Sequence, residues 1–144
     1  MTHVDKGKYF KKHPEGTKVA EDLKQEILKQ TKDNNISCKA AEKISQSRNT
    51  PLGEIGVAID MLNINIAQCQ LGLFGFDGKQ KRVPAAASVA ADLDAAIRES
   101  LDNGRLSCIA AWNIADRLQI KRLDVCAACE KLQIKVKPCQ LGAF

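Results

Sequence analysis

The sequence predicts a mainly α-helical protein made of two tandem three-helix repeats, each followed by a short β-strand. Three observations lead there. The chain matches itself at a fixed offset of 70 residues, its apolar residues recur at helical spacing, and a brief alternating segment closes each helical stretch. Of the 56 positions paired between 19–74 and 89–144, 18 are identical without a gap. Most of the shared positions are apolar or small, as expected of a duplicated core. The ending Cys69-Gln70-Leu71-Gly72-x-Phe74 returns as Cys139-Gln140-Leu141-Gly142-x-Phe144. This organisation gives a basic N-terminal tail over 1–18, a first repeat over 19–74, a basic linker over 75–88 and a second repeat over 89–144. One repeat alone would bury little surface, so two copies support each other's stability.

The first helix of each copy is expected from Val19 to Lys32 and from Val89 to Leu101. Leu23 and Ile27, like Leu93 and Ile97, stand four apart on one face. Asp33-Asn34-Asn35 and Asp102-Asn103-Gly104 are turn residues that stop these helices. Ser37 and Ser107 then offer hydroxyls that can cap a second helix by accepting from a free backbone N–H. In the second copy Cys108, Ala111, Ala115 and Leu118 form its apolar stripe. Thr50-Pro51 signals the start of a third helix, because proline has no N–H to lose in the first turn. Ile55, Ala58, Ile59 and Leu62 give its buried face, repeated by Val125, Ala128, Cys129 and Leu132. Ile64-Asn65-Ile66 and Ile134-Lys135-Val136 alternate as short strands. With one strand after each copy, the two are available to pair with each other about a pseudo-twofold axis.

The stretch from Ile114 to Val125 resembles a helix-turn-helix. Ala115 is the small residue where two helices meet, and Leu118, Ile120, Val125 and Ala128 are the apolar residues around the turn. Gln119 stands where that family commonly has glycine. The first copy fits less closely, with Ser45 in place of the alanine and Arg48 in place of Leu118. The resemblance is to the broad helix-turn-helix and winged-helix-like superfamily, and it implies a second helix offered to the major groove of double-stranded DNA.

Charge bears on that implication. The chain carries +5, with +3 in residues 1–18 and +2 in 75–83, whereas the first repeat carries −1 and 84–144 carries +1. Flexible basic arms can neutralise phosphates without reading bases, or serve simply as solvated segments. The expected DNA-contacting residues are Arg117, Lys121 and Arg122 around the second turn, helped by Lys79, Lys81 and Arg82 in the linker. The matching region of the first copy offers Leu52, Gly53, Gly56 and Val57, which have no donors for a base edge. Gly53, Gly56 and Val57 therefore read as a packing surface. Ile109 and Trp112 replace Lys39 and Glu42 of the first copy, so they are expected to form an added exposed apolar surface that seals the two repeats, makes a homodimer or receives a ligand.

Six cysteines without an export signal fit reduced thiols and a cytoplasmic location. Cys38 and Cys108 face inward by periodicity. Cys126-x-x-Cys129 reads as structural rather than metal-binding. Cys69 and Cys139 open the repeated closing motif and form a candidate thiol site, for metal or redox sensing, should the two strands pair. No metal site and no cofactor is otherwise expected. The histidines, His3 and His13, fall in the basic tail, and no phosphate loop or nucleophile elbow is present, so an enzyme is not expected. The absence of a long apolar run excludes a transmembrane helix. The leading expectation is a DNA-binding, transcription-regulating protein. Its alternative is a protein-interaction module without nucleic acid.

Overall fold

The computed structural model describes residues 9–76, 81 and 83–143. Among them are six α-helices and four strands of two or three residues, in two compact units. The first unit runs to Cys69 and includes Gln140–Ala143. The second runs from Gln70 to Cys139. The segment 70–74, expected to close the first repeat, thus belongs to the second unit.

In the first unit, α1 (Glu21–Gln30) buries Leu23 and Ile27. It is shorter than expected at both ends. Ala20 supplies no side-chain cap, and Thr31 is already extended. The turn that follows, with Asp33 and Asn34 at φ of 50° and 61°, returns the chain so that Lys32 bridges Asn35. Asn35–Ser37 forms β1, a strand not expected from the sequence. Ser37 caps α2 (Cys38–Arg48) by accepting from the Ala40 N–H at 3.1 Å. Arg48 ties α2 back to α1: it donates to Asp22 at 3.0 Å and to Glu26 at 3.2 Å. That hydrogen bond is the main reason the Asp22 carboxyl lies below its ordinary range. Asn49 turns the chain in the left-handed region, and α3 (Leu52–Met61) buries Ile55, Ala58 and Ile59. β2 (Asn65–Ala67) follows.

The second unit has the same order: α4 (Ala91–Glu99), β3 (Arg105–Leu106), α5 (Cys108–Leu118), α6 (Arg122–Leu132) and β4 (Lys135–Val136). Ser107 caps α5 as Ser37 caps α2, accepting from Ala110 at 3.1 Å. Gln119 takes φ 55° after α5, the conformation Asn49 takes after α2.

The strands correct one expectation. β2 pairs in parallel with β1, and β4 pairs in parallel with β3; the two closing strands do not pair with each other. The reason is local. Each closing strand passes an extended segment in front of a second helix, where inward Ile36 with Ile66, or Leu106 with Val136, joins the unit's own core. Pairing there satisfies backbone groups without ordering another element.

A 3-10 turn, Tyr9–Lys12, lies within the segment expected to be a tail. It packs on α3 with Tyr9 buried, and the Tyr9 hydroxyl donates to Asn65 Oδ1 at 2.9 Å.

Candidate nucleic-acid interface

The residues around the second turn are placed by helix ends. α5 stops at Leu118 because Gln119 adopts the left-handed conformation, where its N–H reaches the carbonyls of Ala115 and Asp116. Lys121 is the extended residue before α6, at φ −71° and ψ 145°. Its side chain is exposed, as are those of Arg117 at the end of α5 and of Asp116 and Asp124 beside them. Lys121 stands at the positive end of α6, where an anion is favoured by the helix dipole as well as by the ammonium.

Arg122 differs from its neighbour. Its guanidinium lies 3.7 Å from the centroid of the Trp112 ring, and Nη1 donates to Gln70 Oε1 at 2.8 Å. Trp112 is only 7 % exposed, and its indole N–H is buried without a hydrogen-bond partner. The expected Ile109–Trp112 patch is therefore divided: Ile109 is 55 % exposed, whereas Trp112 is a core residue roofed by Arg122. The comparison with Glu42 misled because that position is half-buried even in the first unit, and in the second a long cation from the next helix covers it.

The basic arms are partly tied down. Lys81 pairs with Glu130 of α6. Lys79 and Arg82 lie outside the described residues. At the other end of the chain, Lys12 Nζ is 3.1 Å and His13 Nε2 is 2.8 Å from Asp60 Oδ2. Asp60 is a buried carboxylate on α3, 3 % exposed, and Lys12 also donates to the Gly142 carbonyl at 2.9 Å. The sequence signal for this cluster was a carboxylate next to core residue Ile59, at the position Glu130 holds beside Cys129.

In the first unit Gly53 is exposed with open space around it, while Gly56 is buried. A Cβ on Gly56 would come within 2.7 Å of the Leu141 carbonyl carbon, so the 140–143 segment rests directly on α3. Val57 is half-buried beside it in sequence. The start of α3 exposes Pro51, Gly53 and Glu54, which leaves no cation to meet a phosphate there.

None of the six cysteines is in a disulfide. Cys69 is buried in the first unit, and Cys139 is half-buried in the second. Among the described residues no group of three or more His, Cys, Asp or Glu is placed to hold a metal ion. Cys126 and Cys129 are buried on α6, and the Cys129 thiol is pushed up to about 11, first by desolvation and then by the charge of Glu130. No helix among the described residues is long and apolar enough to cross a membrane.

Comparison with known proteins finds no matching family model, no similar curated protein and no similar solved structure.

Proposed function

We propose that the two units are copies of one ancestral helix-turn-helix module, and that the second of them binds double-stranded DNA through the start of α6. Several features support the duplication. Equivalent serines cap α2 and α5, equivalent left-handed residues end them, and strand registers 35↔65 and 105↔135 differ by the same offset. The left-handed Gln119 also supplies the turn conformation that helix-turn-helix domains commonly obtain from glycine.

The observation that carries the DNA reading is an exposed Lys121 at the N-terminal end of a second helix, with exposed Arg117 just before the turn. Lys121 and Arg117 are the docking cations, and Arg122 is a positioning residue that fixes α6 against Trp112. The first unit, with Pro51, Gly53 and Glu54 at the same place, contributes no base contact of this kind. A salt titration with generic duplex DNA tests the reading. Binding should strengthen as salt falls, and Lys121→Ala should weaken it. No detectable binding at about 50 mM salt, where phosphate neutralisation is strongest, removes it.

A protein-interaction module is the second reading, favoured by exposed Ile109 and by cations already engaged at Lys12, Lys81 and Arg122. Ile109→Asp should then abolish self-association measured by sedimentation, and a wild-type chain that stays monomeric at high concentration removes the homodimer form of this reading.

A further inference from the structure

β3 and β4 carry an arrangement that the fold itself does not need. Leu106 and Val136 point into the core, so the residues that alternate with them face out. Arg105 stands directly opposite Lys135 in the register, and both are exposed. Lys137, two residues beyond Lys135 and on the same face by strand period, is exposed as well. Like charges directly opposite each other destabilise a strand pair. Asp102, which bridges Arg105 through the backbone, forms no ion pair with it, and none of the ion pairs among the described residues involves these three cations.

The first unit builds the same strand pair without charge. Asn35 stands opposite Asn65, whose Nδ2 donates to Asn35 Oδ1 at 2.7 Å, and Ala67 occupies the place of Lys137. A neutral, hydrogen-bonded solution is therefore compatible with this backbone. Three cations on one small face, with no carboxylate partner among the described residues, call for an anion from outside.

We propose that the outer face of β3–β4 contacts nucleic-acid phosphates, as a second point of attachment beside the start of α6. This rests on the DNA reading above. α6 has 11 residues, so its two ends, with Lys121 just before the first and Lys135 three residues past the second, are about 16 Å apart. A duplex spanning both must exceed about five base pairs at roughly 3.4 Å each.

The test is the full chain with Arg105→Asn, Lys135→Asn and Lys137→Ala, the residue set of the first unit. The variant should fold with a thermal midpoint at or above wild type, and any gain should shrink at high salt. Its affinity for generic duplex DNA should fall roughly tenfold per lost contact at about 0.1 M salt, and the slope of log K against log salt should flatten by about 0.9 per contact. Lys137→Ala alone, at the end of the strand pair, should flatten the slope by about one contact's worth. A triple variant with wild-type affinity and slope, alongside a weakened Lys121→Ala, overturns the strand-face proposal and leaves the DNA reading standing. If wild type fails to bind at about 50 mM salt, both fall. A thermal midpoint well below wild type would overturn the premise that the cations are held at a cost to the fold.

Discussion

Arg122 places its guanidinium on Trp112 and holds Gln70, while Lys121, one residue earlier, faces solvent. Two adjacent cations therefore have separable consequences. Arg122→Ala should cost about 1–2 kcal/mol in urea unfolding, from a lost cation–π contact and a lost hydrogen bond. It should also shift the emission of the single tryptophan. Lys121→Ala should change stability by less than about 0.5 kcal/mol. Equal stability losses in the two variants would contradict these roles. Cys129 gives a pH prediction. Its folded-state pKa of about 11 is above the ordinary value of 9.0, so the native state keeps the proton longer than the unfolded chain. The stabilisation is complete below pH 9 and is lost as pH rises toward 11. Cys129→Ala should flatten that part of the stability profile, and a thiol reagent at pH 8 should label Cys129 slowly.

At the scale of elements, α3 carries two glycines with opposite surroundings. Gly53 is exposed near the start of the helix and meets nothing within 4 Å, so Gly53→Ala should stabilise by up to about 1 kcal/mol through reduced freedom of the unfolded chain. Gly56→Ala would drive a methyl into the backbone of Leu141, which cannot yield as a flexible side chain can. It should destabilise by about 1–3 kcal/mol and displace the 140–143 segment. Chemical denaturation of the two variants, side by side, checks both signs.

Across the whole molecule, positive charge divides into a part engaged within the fold, as at Lys12 and His13, and a part exposed to solvent, as at Arg117 and Lys121. Lys12 and His13 serve the buried Asp60, and Lys12 also holds the Gly142 carbonyl. Lys12→Met should lower stability by about 1–3 kcal/mol, since it leaves a buried carboxylate and a carbonyl with fewer donors. The same variant should leave the salt slope of DNA binding unchanged. A flattened slope would show that Lys12 meets phosphate instead.

The six helices, the serine caps and the inward faces of Leu23, Ile27, Val125 and Ala128 were legible in the sequence, because caps and helical periodicity act over a few residues. So was the exposure of Lys121 at the start of α6, whereas Arg122, expected to be free beside it, is half-buried on Trp112. β1 and β3 were not legible: two or three residues with a single apolar side chain have no period to detect, and their partners lie about 30 positions away, Asn35 with Asn65 and Arg105 with Lys135. Nor could the sequence show that Arg122 covers Trp112, that Asp60 is buried with Lys12 and His13, or that a Gly56 methyl would strike Leu141. These depend on which side chains meet after distant segments pack, and local pattern holds no information about such meetings. The chain's own periodicity determined which segments coil and which residues turn inward; tertiary packing alone decided which charges are consumed inside the fold and which stay exposed to solvent.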